Sequence, residues 1–308
     1  KLVQLKTKKC LDREGKLMGH CVGSYGEKVE NESLTVLSLR DTKNNPHATI
    51  GIENKKVIEI KGNGNAPIIE KYRPYIRKYL DKTNYEVEDD ELLNAGLIKI
   101  DDKIYDYNKL PKGLTIKSKL NLENTNISSL PDNLEVDGNL NIRNTKIKSL
   151  PEGLTIKGSL FLEDTKISSL PNNLKIGGNL DLRNTNISEL PDNLEVGGNL
   201  NLYNTNISSL PDNLKVGGNL NLYNTNISSL PDNLKVGGDL DLDNTNISSL
   251  PDNLKVDGNL FLNNTNISSL PNNLEVGKNL DLRNTNISSL PNNLKVGGNL
   301  DIENTKIS

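Results

Sequence analysis

From Leu110 onward the chain repeats itself every 20 residues, and this period constrains the fold more than any other feature of the sequence. Units begin at Leu110, Leu130, Leu150, Leu170, Leu190, Leu210, Leu230, Leu250, Leu270 and Leu290, and the last stops at Ser308. The unit starting at Leu210 reads LPDNLKVGGNLNLYNTNISS, with apolar side chains at unit positions 1, 5, 7, 11, 13 and 18. A coil this short cannot enclose a core of its own, so its apolar positions are buried by stacking coil on coil. Positions 11 and 13 alternate with polar positions 10, 12 and 14, the period-2 signature of a strand with one buried face. In-register stacking then gives a long, curved parallel sheet whose strands, about 4.8 Å apart, span on the order of 45 Å.

Threonine occupies position 16 in every unit, from Thr125 to Thr305, preceded by Asn or, at Asp164, by Asp. A short polar side chain there can bond backbone groups that a turn leaves unpaired, and we read it as a structural ladder. The Leu-Pro pair fits an extended return segment, since proline fixes φ and donates no ladder hydrogen bond. A rival reading takes Val-Gly-Gly-Asn as a hairpin turn, which predicts an antiparallel meander.

The core L-x-L-x-x-(N/T)-x-I followed by Leu-Pro resembles the short, 20-residue bacterial class of leucine-rich repeats, the type found in secreted effectors of enteric pathogens. It departs from that class at the first leucine, where this chain has Gly or Lys (Gly217, Gly237, Lys117), and in using Thr where Asn is commoner. The resemblance implies a leucine-rich-repeat solenoid over residues 110–308.

Composition supports order over disorder only through this spacing: 34% hydrophobic and 4% aromatic residues are few for a globular core, but the leucines recur at fixed intervals. A net charge of -3 supplies no attraction to phosphate backbones, so nucleic acid is not the expected partner. No apolar run approaches the roughly 18 residues of a membrane span, and the charged start carries no secretory signal, although a chain beginning at Lys1 could have lost a leader. Cys10 and Cys21 are too few for a zinc site or disulfide framework, so we expect neither metal nor cofactor, and a reducing cytoplasm. The Asn-Ile-Ser triplets that match the glycosylation pattern are then by-products of the repeat.

Positions 10, 12 and 14 form the strip on which such solenoids bind, and variation there is more informative than repetition. The strip carries four basic residues against nine acidic ones, a balance of -5 that suits a protein partner with basic residues. Its candidate partner-binding residues are Arg143, Phe161, Arg183, Tyr203, Tyr223, Asp243, Phe261 and Arg283, types that dominate interface hot spots. Against this stands a solvated β-surface on which Tyr and Arg are simply good strand formers. Asp239, Asp241 and Asp243 share one strand face, but their spacing of about 6.8 Å is wide for joint ligation of a cation, and a solvated acidic patch is expected.

The first 109 residues are different. Residues 34–41, 46–53 and 56–61 read as strands, and 66–80 as a helix with Pro67 near its first position and Pro74 as a possible kink. These make a small α+β domain over residues 1–90, followed by a linker over 91–109 whose hairpin, 97–107, could cap the first repeat. The stretch EGKLMGHCVGSYGEKV, with SLRD, PHATI and IKGNGN, resembles the PcfJ-like family of conjugative plasmids and phages. Glu14, Gly15, His20, Cys21, Val22, Tyr25, Arg40, Thr49, Ile50, Gly62 and Asn65 carry it, and Glu59 stands where the family often has Gln. The resemblance implies a mobile-element origin and no established activity.

Chemically, His20, Cys21, Arg40 and His47 are candidate catalytic residues: a thiol nucleophile, imidazole bases and a cation. In a strand His20 and Cys21 would face opposite ways, which would leave His47 as the base for Cys21. Alternatively Cys21 is a small buried hydrophobe and His20 orients a loop. The segment Lys61-Gly-Asn-Gly-Asn is a weak hint that a helix start near Ala66 takes an anion. The sequence reading is therefore a protein-interaction scaffold, weighing against an enzyme, that binds a protein through the concave face of its repeats. The alternative makes the N-terminal domain a small enzyme or nucleotide-binding module, open to a small-molecule ligand, with the repeats as targeting adaptor.

Overall fold

The computed structural model describes residues 1–172 and 174–307; Asn173 and Ser308, where the last unit stops, lie outside the described residues. The chain divides into two compact units, Lys1–Leu110 and Pro111–Ser308.

The first unit is built on a five-stranded sheet in the order β1 (Leu2–Leu5), β2 (Thr35–Arg40), β3 (Pro46–Glu53), β4 (Lys56–Lys61) and β5 (Glu86–Val87). The first four pair antiparallel and β5 joins β4 in parallel. Strands β2, β3 and β4 match the three expected from the sequence; β1 and β5 were not foreseen. Nor was α1 (Lys8–Met18), because Gly15 and Gly19 make that stretch read as a loop. Its signals are local: Thr7 caps the start by accepting the Cys10 N–H, and Gly19, at φ 65°, closes the end. Residues Leu11, Glu14 and Met18 form its buried face, and the short α2 (Gly26–Glu30) follows it.

Alternate residues of β2 face opposite sides of the sheet. Leu5, Leu11, Val22, Val29, Leu34 and Val36 form one apolar cluster, and Leu39, Ala48, Ile50, Ile60, Ile68, Ile76 and Leu80 belong to another. The second cluster holds α3, which runs Arg73–Leu80 rather than from residue 66. Pro74 lies in its first turn, where a missing N–H costs no bond, so it starts the helix instead of kinking it. Ala66 is extended, and its N–H bonds Asn63 O while Gly62 N–H bonds Ala66 O. Those two donors are thus spent within the loop, and no helix starts at Ala66 to take an anion.

The hairpin of β6 (Leu97–Ile100) and β7 (Lys103–Asp106) also belongs to this unit. Leu97 and Ile104 enter the second cluster, and Arg73 locks the hairpin to α3 through a buried ion pair with Asp106 at 2.9 Å. Gly96, at φ 83°, makes room for that guanidinium: a β-carbon there would stand 2.2 Å from Arg73 Nε.

In the second unit every coil contributes two short strands to two separate ten-stranded parallel ladders. One ladder runs through positions 6 and 7, as in Lys215–Val216 pairing with Glu195–Val196; the other runs through positions 11 and 12, as in Leu220–Asn221 pairing with Leu200–Asn201. The strand at positions 11 and 12 was expected; the Lys-Val strand was not. All pairings between coils are parallel, so the hairpin reading of Val-Gly-Gly-Asn is overturned: those residues turn the corner between the two ladders. Leu210, Leu214, Val216, Leu220, Leu222 and Ile227 are all buried, as the apolar positions require. In six of the ten units position 8 is glycine, and there neighbouring coils come close: a β-carbon on Gly217 would lie 2.2 Å from Gly197 O.

Three polar positions carry the recurring side-chain bonds of the coils, one within a coil and two between coils. Each Thr at position 16 donates from Oγ1 to the carbonyl of its own coil's position 13, at 2.6–2.8 Å in all ten units. Threonine therefore closes a local turn and does not form the ladder expected of it. The residue before it, Asn or Asp164, has φ between 50° and 59° in every unit, the left-handed region that these side chains tolerate best. From that position Asn144 Nδ2 donates to Asn124 Oδ1 at 2.8 Å, and Asn224 to Asn204 at 2.9 Å, so asparagine makes the ladder. A second ladder runs along position 10, where each side-chain oxygen from Asn139 to Asn279 accepts the backbone N–H of the same position one coil on, at 2.7–3.1 Å.

Candidate functional site

That second ladder changes what the exposed strip can offer. Position 10 is occupied with coil-to-coil bonding, and Asp239 serves there as the asparagines do, accepting from Asn259 N and Nδ2 at 2.7 and 2.9 Å. At position 12 an Asn or Asp oxygen accepts the N–H of position 14 in its own coil, as Asn201 does from Tyr203 and Asp281 from Arg283. Phe161 and Phe261 are the two units that give this bond up. The side chains outside these two sets of bonds are those at position 14 and the two rings, most of them partly buried.

The strip is not uniform along its length. Arg143, Glu163 and Arg183 stand on successive coils and interlock: Arg143 lies 3.3 Å from Glu163, and Arg183 lies 2.9 Å from Glu163. Both arginines also reach Asp181, at 2.9 and 2.7 Å, which holds its carboxyl below the usual range despite the opposing effect of burial. The Arg143 guanidinium sits over Phe161, 4.7 Å from the ring centroid. Two of the candidate partner-binding residues, Arg143 and Arg183, thus belong to a network that was not foreseen from the sequence. Its signal was present in the alternation Arg, Glu, Arg at 20-residue intervals.

Midway along, Tyr203 and Tyr223 stack with ring centroids 5.4 Å apart, and Tyr203 is 37% exposed. Beyond them Asp241 and Asp243 are half-buried instead of freely solvated. Burial first, and then the neighbouring Asp241 carboxylate, push the Asp243 carboxyl up to about 6. No group of three His, Cys, Asp or Glu residues able to hold a metal ion occurs among the described residues. Farther on, Arg283 forms a close pair with Asp281 at 2.6 Å and approaches Asp301 at 3.5 Å.

In the first unit the candidate catalytic residues hold structural bonds. Arg40 and Glu14 form a buried ion pair, the two side chains 8% and 0% exposed. Arg40 also donates to Ser38 Oγ at 3.0 Å and to Asn44 O at 3.1 Å, while Glu14 Oε1 has no hydrogen-bond partner among the described residues. His20 caps a short helical turn over Cys21–Tyr25, its Nδ1 accepting the Val22 N–H. That places the proton of the neutral ring on Nε2, 3.2 Å from Thr49 Oγ1. Burial lowers the His20 pKa, partly opposed by Glu59 and Glu14. Tyr25 donates to Glu59 at 3.1 Å, and burial with that carboxylate pushes its hydroxyl up to about 12. His47 stacks on Tyr72 at 4.1 Å and lies 3.2 Å from Asp41. Cys21 is exposed, so it is not a buried hydrophobe, and no hydrogen bond joins it to either histidine among the described residues. The motif residues Glu14, His20, Tyr25, Arg40 and Thr49 thus meet in one polar cluster between α1 and the sheet, with Glu59 added. An open cleft of about 770 Å³ beside it is lined by Arg40, Asp41, Lys43, Lys71, Tyr72 and Tyr75.

No helix among the described residues is long and apolar enough to cross a membrane. A search of the curated proteins finds no match. Among solved structures, the chain resembles YopM, a leucine-rich effector protein from Yersinia pestis, at 20% identity over 61% of this chain and 60% of that one, with a TM-score of 0.42. It also resembles YopM from Yersinia enterocolitica WA-314, at 21% identity over 62% of this chain and 58% of that one, with a TM-score of 0.36. The match spans about three fifths of the length of each of these relatives. Residues 2–76, which contain the polar cluster, match the PcfJ-like protein family, so the chain joins a PcfJ-like N-terminal segment to a parallel solenoid of 20-residue leucine-rich coils.

Proposed function

We propose that this protein is an interaction scaffold whose repeats bind a partner protein through their concave face, and that it acts in the cytoplasm of a bacterium as the product of a phage or other mobile element. The observation that carries the reading is the Tyr203–Tyr223 stack, an exposed and a partly buried aromatic ring held by a coil backbone that is otherwise locked by asparagine and threonine bonds. Rigid aromatic side chains give large contact area at little entropic cost, which is why they anchor interfaces. The partner-binding set is Tyr203 and Tyr223 with Phe161, Phe261, Asp243 and the three arginines, Arg143, Arg183 and Arg283. A net-acidic strip opposes nucleic acid as the ligand. The test compares partner capture by the whole chain and by Tyr203→Ala with Tyr223→Ala; unchanged capture overturns the assignment.

A second reading places a ligand in the first unit, favoured by the cleft between Lys43, Lys71 and the Tyr72 and Tyr75 rings. Nucleotides and other small anions screened against the whole chain should then raise its melting temperature in the wild type and not in Lys43→Ala with Lys71→Ala.

A further inference from the structure

Phe161 and Phe261 occupy the same unit position 100 residues apart, and both stand beside an aspartate–arginine pair, although Glu163 on the first ring's coil, which pairs with Arg143 and Arg183, is replaced by Asn263 on the second. Beside each ring the next coil presents an aspartate, Asp181 in one case and Asp281 in the other. Each aspartate is gripped by the arginine two residues on, Arg183 or Arg283. The preceding coil differs. Before Phe161 it supplies Arg143, which lies over the ring and reaches Asp181 at 2.9 Å. Before Phe261 the corresponding residue is Asp243, and Asp241 replaces Asn141.

Where the first site holds a cation, the second therefore presents two half-buried carboxylates, neither in a salt bridge among the described residues. Both are fixed in place: Asp241 accepts the Asp243 N–H at 3.1 Å, and Asp243 accepts the Asn263 N–H at 2.6 Å. One coil back stands Tyr223, the inner ring of the stacked pair.

Resting on the scaffold reading, we propose that Asp241, Asp243 and Phe261 receive an arginine side chain of the bound protein, held as Arg143 is held over Phe161 within the chain itself. A guanidinium suits the place better than an ammonium, because its plane stacks on a ring while its edge meets carboxylates. It would also offset the burial and the mutual repulsion that together raise the Asp243 pKa.

The experiment uses the whole chain and two fluorescein-labelled Gly-Ser peptides, one carrying two arginines and one the isosteric, uncharged citrulline, with binding read by anisotropy at low ionic strength. The arginine peptide should bind about tenfold more tightly. Asp243→Arg lets the chain fill the place with its own guanidinium and should abolish that preference; Phe261→Leu should reduce it severalfold. Glu195→Gln, on the other ladder, should leave it intact. Equal affinity for both peptides, or a preference that survives Asp243→Arg in a variant with unaltered melting temperature, overturns the proposal. A partner whose capture needs Tyr203 and Tyr223 but tolerates Asp243→Arg overturns the arginine site and leaves the scaffold reading standing. Capture indifferent to all three positions overturns the scaffold reading itself.

Discussion

Asn224 Nδ2 donates to Asn204 Oδ1 at 2.9 Å while its own backbone sits at φ 56°, so one side chain both tolerates the left-handed turn and ties two coils. Asn224→Ala removes the bond and leaves a β-carbon in a conformation that alanine resists, a loss of about 1–2 kcal/mol. Asn224→Gly loses the bond but not the conformation and should cost less. Urea unfolding of the three proteins checks the order; an alanine variant as stable as the wild type contradicts it.

Thr225 is buried and its Oγ1 donates to Leu222 O at 2.7 Å. Thr225→Val keeps the shape but takes the hydroxyl donor from that carbonyl, and should lower stability by about 1 kcal/mol, whereas Thr225→Ser keeps the bond. If the valine variant matches the serine variant, the hydroxyl contributes nothing to the turn.

Removing one member of the Glu14–Arg40 pair leaves a charge buried without its counterion. Arg40→Met should destabilise the first unit by about 3–5 kcal/mol, and adding Glu14→Gln should recover much of that loss. The double variant melting no higher than Arg40→Met would show that the pair is not the cause.

These bonds mark the limit of what the sequence made legible. The apolar positions 11, 13 and 18 were plain, because burial imposes a period that a single line of text displays. The two-residue strand at Lys215–Val216 was not, since two residues are too short to show alternation and the following Gly217-Gly218 mimics a hairpin. Thr225 stands at a position that never varies and Asn224 at one that varies only at Asp164, and only geometry shows which bond stays within the coil and which crosses to the next. In the first unit Thr7 was a fair cap signal, outweighed by Gly15 and Gly19. Pro67 and Pro74 both suit a helix start, and packing of Ile76 and Leu80 chose the second. The acidic strip was readable as a count, but not its division into a neutralised stretch at Arg143–Arg183 and an uncompensated one at Asp241 and Asp243.

Asp243 gives the surface a pH dependence of definite sign. Its folded pKa of about 6 lies above the ordinary 3.8, so the folded protein binds that proton more tightly than the unfolded chain. The stability this confers is fully present below the ordinary value and is lost as pH rises through about 6. Asp241 and Asp281 work in the same direction as burial, while Arg283 and the Asn263 N–H oppose it. Asp243→Asn should therefore raise the urea midpoint at pH 8 and make little difference near pH 4. A larger effect at pH 4 than at pH 8 contradicts this.

The central claim, that the strip at position 14 is where a partner sits, is tested most directly by photocrosslinking. A benzophenone amino acid is placed in the whole chain at Tyr203, at Glu195 on the other ladder, or at Tyr75 in the N-terminal cleft, and each protein is irradiated in bacterial lysate. One partner protein should be joined at Tyr203 and not at Glu195 or Tyr75. Crosslinks to that partner at Tyr75 or Glu195 with none at Tyr203 would place recognition elsewhere and contradict it.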